Sequence, residues 1–221
     1  MDRKAELLLL AVVLVLLLLS LLPFSSLSLN QDFCIADLAA IYTPAGYPCK
    51  PPMFVTADDF YYGGLAGSSG PPLKPSNVAL GSATVAEFPG VNGLAISAAR
   101  MDITPGGAVP LHSHPGGTEL VYVLEGSLVS GFVSATLNKV YAKTLRKGDL
   151  MVLPQGQLHF QYGVGNTTAV IISAFNSANP GAQVMDYALF ANDLPAEVVS
   201  KVTNLDELQV VKLKALFGGS G

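Results

Sequence analysis

From residue 94 onward, the sequence is a succession of short β-prone runs separated by turn residues. The runs are ISAARMDI, LVYVLEG, LVSGFVSA, VYAKTL, LMVLP, LHFQYGV and AVIISAF. Glycine, proline, asparagine or aspartate interrupts them about every ten residues, which is typical of an antiparallel sandwich or barrel. We therefore expect a mainly β fold with a core of roughly 80 residues.

Beyond Asn176 the apolar period changes to that of helices. Asp193 can cap a helix that opens at Pro195, and Asn204 with Glu207 resembles a capping box for a second helix that Gly218 would end. The apolar residues of the second helix cover more than one stripe. Such a helix needs two surfaces, and we expect it to clasp a neighbouring subunit rather than pack only within its own domain.

The N-terminus has the pattern of a secretory signal. Arg3 and Lys4 precede an apolar run from Leu7 to Leu22, and Ser26 and Ser28 follow at the spacing that a signal peptidase prefers. The alternative is a membrane anchor, but the run is shorter than the ~20 residues of a spanning helix and lacks a basic flank. We expect a secreted protein with no membrane partner once the signal is removed.

Charge argues against nucleic acid as a partner. Removal of the signal would take away two of the 12 cationic and two of the 16 anionic side chains, so the net charge stays at -4. No cluster of Lys and Arg is longer than Arg146-Lys147. Binding to phosphate backbones or to anionic membranes therefore lacks its electrostatic basis.

Cys34 and Cys49 are the two cysteines of the chain, and both lie near the expected mature N-terminus. In an oxidising compartment we expect them to form a disulfide, which would contribute about 3 kcal/mol in the chain-entropy model. Two free thiols, or two soft metal ligands, are the alternatives.

The three histidines of the chain indicate a metal site. His112 and His114 are two residues apart, so on an extended strand their side chains point to the same face. Glu119 follows a Pro-Gly-Gly turn that can reset the register, and an antiparallel partner strand could bring His159 beside the first pair. We predict that His112, His114, Glu119 and His159 bind one metal; unrelated surface and core histidines are the alternative.

This ligand set does not select one metal. Three imidazoles and one carboxylate suit Mn, Fe, Ni, Zn or Cu, and the Irving–Williams order disfavours Mn(II) on affinity. An octahedral ion would keep two positions open for water, dioxygen, superoxide or a small carboxylate.

Two sequence motifs carry a family resemblance. They are Gly106-x5-His112-x-His114-x4-Glu119-x6-Gly126 and Gly148-x5-Pro154-x-Gly156-x2-His159. Both resemble the cupin motifs, and CIADL, AGYPCK, FPGVNGL and ARMDITPGG are similar to the germin-like proteins of plants. Within that family the pattern most resembles the members described as auxin-binding.

The resemblance implies a jelly-roll cupin β-barrel with C-terminal α-helices. It also implies manganese at the four ligands, the Cys34–Cys49 disulfide, secretion to the apoplast and cell wall, and a homo-oligomer, a hexamer in this family. The corresponding organisation is a signal peptide over 1–28, a disulfide-tied extension over 29–75, the barrel over 76–190 and a helical oligomerisation segment over 191–221.

Two positions depart from the oxalate oxidases of the family. Those enzymes have asparagines where this chain has Ala99 and Val109. Neither side chain can hydrogen-bond a dicarboxylate, which argues against oxalate oxidation. Separately, Gly163 stands where the second motif of the family usually ends in asparagine, which indicates only an altered turn.

Three functions stay open from the sequence. The first is a manganese superoxide dismutase with a role in defence or wall processes, whose substrate is a small oxygen species. The second is non-enzymatic binding of a small ligand, such as an auxin-like carboxylate. The third is a structural wall glycoprotein, for which the sequon Asn166-Thr167-Thr168 provides a predicted glycosylation site at Asn166.

Overall fold

The computed structural model describes residues 12–13, 31–67, 72–73 and 75–221. The predicted signal peptide lies outside the described residues except for Val12 and Val13. The chain divides into two compact units, Met1–Asp32 and Phe33–Gly221, and the second contains all the features described below. Within the described part of the chain, no helix is both long and apolar enough to cross a bilayer.

Two five-stranded antiparallel sheets form the barrel. The described strands are β1 (Val78–Ala83), β2 (Ser97–Ile103), β3 (Ala108–Ser113), β4 (Glu119–Glu125), β5 (Ser127–Val133), β6 (Val140–Arg146), β7 (Leu150–Leu153), β8 (Leu158–Gly163), β9 (Ala169–Phe175) and β10 (Gln183–Val184). One sheet has the order β1-β2-β9-β4-β7 and the other β10-β3-β8-β5-β6. The expected mainly β barrel is confirmed, and each of the seven apolar runs contains a strand.

The barrel interior changes from apolar to polar along its strands. In β4 the inward positions are Glu119, Val121 and Val123, all fully buried. In β9 the inward residues Ala169, Ile171 and Ser173 follow the same change in reverse order. An aliphatic core thus fills one part of the barrel, and buried polar side chains occupy the part beside it.

The N-terminal extension is tied by the predicted disulfide. Cys34 and Cys49 are bonded, with an S–S distance of 2.09 Å, and Ala36 pairs with Cys49 through an antiparallel bridge. Ala36 packs with Val85 and Val91 in a small apolar cluster against the barrel. The pairing leaves the chain without a free thiol.

Three α-helices follow the barrel: α1 (Met185–Phe190), α2 (Ala196–Thr203) and α3 (Glu207–Phe217). Val199 and Val210 are fully buried where α2 and α3 meet. Other apolar side chains of these helices, such as Leu208 at 72% exposure, lie on the surface of the chain. One apolar face is therefore covered within the chain, while the predicted contact with a second subunit stays a prediction.

The predicted helix caps were wrong in detail. Pro195, not Asp193, is the N-cap of α2, and it makes no side-chain cap. Asn204 ends α2 in the left-handed conformation (φ 59°), a conformation that asparagine tolerates well. Asp206 caps α3 by accepting hydrogen bonds from the backbone N–H groups of Leu208 and Gln209. Gly218 ends α3 as expected.

Candidate metal centre

The two sheets contribute unequally to the predicted ligands. His112 on β3 lies directly opposite His159 on the antiparallel strand β8. A register shift between Val109 and His112 interrupts this pairing, and His114 comes immediately after β3. All three imidazoles are buried, with exposures of 1–8%. The antiparallel pairing of β3 and β8 thus brings His159 beside His112, as the sequence predicts.

Glu119 reaches the site from the opposite sheet. It is the first residue of β4, and its neighbours in register are Leu153 on β7 and Phe175 on β9. The sequence predicts that the Pro-Gly-Gly turn resets a strand register. In the structure this turn moves the chain from one sheet to the other, so the carboxylate faces the imidazoles across the barrel interior.

A close backbone contact holds that turn. The N–H of Gly116 donates to the carbonyl of Pro180 at 2.9 Å. A Cβ on Gly116 would lie 3.0 Å from the Asn179 carbonyl oxygen and 3.1 Å from that of Pro180. Glycine is therefore the residue that fits here without displacing the neighbouring backbone.

Backbone carbonyls orient all three imidazole rings. Nδ1 of His112 lies 2.9 Å from the Pro110 oxygen, and Nδ1 of His159 lies 2.9 Å from the Gln157 oxygen. Nδ1 of His114 hydrogen-bonds the carbonyl of Gly181. A carbonyl only accepts, so each Nδ1 carries the proton and each Nε2 offers a lone pair, as in many metal-binding histidines.

Two of these lone pairs face one oxygen of Glu119. Its Oε2 lies 3.1 Å from Nε2 of His159 and 3.3 Å from Nε2 of His114. The four ligand atoms all lie within 4.8 Å of one another. Among the described residues, neither Glu119 Oε2 nor His159 Nε2 has a hydrogen-bond partner, although both are buried. A cation between them would remove this mismatch, so the residues fit a metal ion.

The electrostatics of the metal-free site favour the metal-binding protonation states of His112 and Glu119. Burial and the nearby His159 lower the pKa of His112 to about 4, so its imidazole is neutral at neutral pH. Burial raises the pKa of Glu119, but the close approach of His114 and His159 and the hydrogen bond from Ser173 outweigh it and hold that pKa well below its ordinary value. The carboxylate is therefore ionised.

His114 behaves differently from His112. Burial lowers its pKa, but the Glu119 carboxylate and the Gly181 carbonyl together raise it above the ordinary value. In the metal-free protein a proton on His114 can offset the buried carboxylate. That proton must leave when a metal binds, because a coordinating imidazole nitrogen must offer its lone pair.

A cavity of about 400 Å³ opens on His112 and His114. Its wall is mainly apolar and includes Ala99, Met101, Val109 and Phe175. Ala99 and Val109, the two departures from the oxalate oxidases, therefore border the space in front of the ligands. Neither side chain can hydrogen-bond a dicarboxylate there.

Several residues of this centre were not found from the sequence. Ser173 donates to Glu119 Oε1 at 2.6 Å, and Nε2 of Gln161 lies 3.5 Å from the same oxygen. Gln161 is two residues after His159, and same-face spacing could have revealed it. Ser173 lies inside the apolar run AVIISAF, where no pattern singled it out. The sequon residue Asn166 is exposed in the turn between β8 and β9, and its glycosylation stays a prediction.

Comparison with known proteins adds independent information. The cupin family model matches residues 66–210. Germin-like protein 8-14 of Oryza sativa subsp. japonica is 55% identical over 94% of this chain and 96% of its own. Auxin-binding protein ABP19a of Prunus persica is 50% identical over 90% of this chain and 95% of its own. A solved structure of oxalate oxidase superposes with a TM-score of 0.81 at 36% identity, covering 86% and 96% of the two chains.

Proposed function

The chain belongs to the cupin family and, within it, to the germin-like proteins, and from this premise we propose that it is a secreted manganese protein that dismutates superoxide. One observation supports the proposal most strongly. Three imidazole Nε2 atoms and one carboxylate oxygen converge in a buried position that adjoins a cavity. The choice of manganese rests on the family resemblance, since the ligands alone also suit other metals.

The four ligands would hold the ion, and the chain would control access to it. Manganese bound there would alternate between two oxidation states, so that two superoxide ions and two protons give one O₂ and one H₂O₂. The backbone carbonyls of Pro110, Gln157 and Gly181 keep each Nε2 turned toward the centre. The cavity admits a small anion on the side of His112 and His114.

Oxalate oxidation is not part of the proposal. Although the oxalate oxidase fold is similar, Ala99 and Val109 give the cavity apolar groups where a dicarboxylate needs donors. A site built on polar contacts loses discrimination steeply when those contacts are absent.

Elemental analysis and a superoxide assay test the proposed function together. We expect manganese as the main metal of the purified native protein, and faster decay of riboflavin-generated superoxide than with the heat-denatured protein. Protein that contains only zinc would exclude redox chemistry at this centre. Protein that contains manganese but decays superoxide no faster than the denatured control would exclude dismutation.

Binding of a small carboxylate is the second candidate, favoured by the apolar wall of the cavity. A ligand with an aromatic body could occupy the apolar part and direct its carboxylate toward the metal, and the name of the auxin-binding Prunus persica relative is consistent with such a ligand. Calorimetry with indole-3-acetic acid, on metal-loaded and metal-free protein, separates this candidate from the first. Binding of indole-3-acetic acid to the metal-loaded protein but not to the metal-free protein would support carboxylate binding at the metal, and no binding to either would exclude it.

We also propose that the protein acts in the apoplast as a homo-oligomer. A disulfide at Cys34–Cys49 suits an oxidising compartment, and the exposed apolar side chains of α2 and α3 suit a subunit contact. Light scattering on the purified protein tests the assembly: a mass near six chains agrees with the hexamer of the family, and a monomer contradicts it.

A further inference from the structure

A buried serine lies beside Glu119, on the neighbouring strand of the same sheet. Ser173 lies on β9 between Ala99 of β2 and Val121 of β4, and it is fully buried. A hydroxyl in such a position costs free energy unless it is hydrogen-bonded. An alanine would fill the same place without that requirement, so packing alone does not explain the serine.

The hydroxyl has one specific partner. Its Oγ donates to Oε1 of Glu119 at 2.6 Å, the short distance of a bond from a hydroxyl to a carboxylate. Gln161 adds a longer contact to the same oxygen, at 3.5 Å. The second oxygen, Oε2, receives no donor from the described residues and faces the Nε2 atoms of His114 and His159.

The two oxygens of Glu119 therefore have different surroundings. We propose that Ser173 is a positioning residue that holds Oε1 and thereby leaves Oε2 as the single oxygen presented to the metal. The assignment rests on the proposed metal-binding function. It adds a residue that acts on the centre through its hydrogen bond to Glu119.

Loss of the hydroxyl has a defined consequence. Without Ser173 the carboxylate can rotate about its last bond and present both oxygens, or point either of them away from the imidazoles. Removal of a group that orients a metal ligand typically costs about 10–100-fold in metal affinity. The symmetry of the metal surroundings changes as well, because one carboxylate oxygen is no longer fixed.

A set of buried-site variants tests the proposal. Ser173→Thr keeps the hydroxyl. Ser173→Val has nearly the shape of the threonine variant but lacks the hydroxyl, and Ser173→Ala removes the hydroxyl without added bulk. Ser130→Ala is the matched control, since Ser130 is also fully buried in the barrel and its Oγ has no partner among the described residues. The dissociation constant for Mn²⁺, the EPR spectrum of bound Mn²⁺ and the melting temperature of the metal-free protein are measured for each variant.

We expect the Val and Ala variants to bind Mn²⁺ about 10–100-fold more weakly than the wild type and to change the EPR spectrum. The Thr variant and the Ser130 control should keep the wild-type affinity and spectrum. Equal affinity and identical spectra in the Thr, Val and Ala variants would overturn the assignment to Ser173. Failure of the wild type itself to bind Mn²⁺ would instead overturn the proposed function, so the two failures are distinct.

Discussion

The three histidines share one hydrogen-bonding pattern but differ in what lies near Nε2. In each of them the Nδ1–H donates a hydrogen bond to a backbone carbonyl, which leaves the Nε2 lone pair for a metal. Only His114 and His159 have Nε2 close to the Glu119 carboxylate. The ring of His112 packs against that of His159, with centroids 4.1 Å apart.

Replacement of Glu119 separates metal binding from folding. We expect Glu119→Gln to lower the affinity for Mn²⁺ by at least about 100-fold, because an amide of the same shape brings no charge to the ion. The metal-free variant should melt within a few degrees of the metal-free wild type. Metal content after dialysis and a thermal scan check both points, and full retention of metal would contradict the ligand assignment.

The lowered pKa of His112 predicts how stability changes with pH in the metal-free protein. As the pH falls, the unfolded chain takes up a proton on this residue near pH 6.5, whereas the folded chain does so only at about 4. The contribution of His112 to stability is therefore complete above the unfolded pKa and declines toward pH 4, by about 3 kcal/mol in total. The raised pKa of His114 acts in the opposite sense, and its contribution is lost as the pH rises through that value.

Denaturant unfolding at pH 7 and pH 4.5 measures this dependence. The metal-free wild type should lose more stability between the two pH values than metal-free His112→Gln, in which the titrating group is absent. If both proteins lose the same free energy of unfolding between the two pH values, the pKa of His112 is not lowered by burial in the folded protein.

At the scale of the elements, the turn between β3 and β4 determines the site. It separates His112 on β3, and His114 directly after that strand, from Glu119 on the facing sheet. Gly116 packs closely against the backbone just before Gly181. The carbonyl of Gly181 in turn orients the ring of His114. The turn and one imidazole are thus held by the same stretch of backbone.

Substitution of Gly116 tests this coupling. In Gly116→Ala the new Cβ would press on two backbone carbonyl oxygens, so we expect a loss of roughly 1–2 kcal/mol in stability and weaker Mn²⁺ binding. Gly67→Ala is the matched control, because a Cβ there meets nothing within 4 Å. If both variants keep wild-type affinity for Mn²⁺, the turn does not position Glu119 in the way described.

The strands and ligands were predictable to different degrees. Runs such as LVYVLEG and AVIISAF show their strands through β-branched and aromatic residues, whereas β1, with the sequence VALGSA, is rich in small residues of weak β preference. The three histidine ligands stand out because the chain has no other histidines, and Glu119 was found through its spacing from His114. The alternation of apolar and polar residues along a strand does not reveal which sheet the strand joins. The position of Glu119 on the sheet opposite His112 and His159 could therefore not be predicted. Ser173 could not be found either, because its partner is distant in sequence.

At the scale of the whole molecule, the metal centre lies between the two sheets. A bound ion would join β3 and β8 of one sheet to β4 of the other through its ligands. Binding to the folded state alone stabilises it by mass action, by about 2.7 kcal/mol when the free metal exceeds the dissociation constant 100-fold.

Metal removal therefore lowers the stability of the barrel. We expect chelation to reduce the melting temperature by several degrees, and re-addition of Mn²⁺ to restore it. The chelated Glu119→Gln variant serves as the control, because Mn²⁺ should not raise its melting temperature. A wild-type melting temperature that is insensitive to chelation, in protein shown to have lost its metal, would contradict this expectation.

The central claim is that the four side chains hold one metal ion between the sheets. Anomalous diffraction at the manganese absorption edge, from crystals of the native protein, tests it most directly. We predict a single strong peak in the barrel, bounded by Nε2 of His112, His114 and His159 and by Oε2 of Glu119. A manganese peak elsewhere in the molecule, with none among these four atoms, would contradict the account.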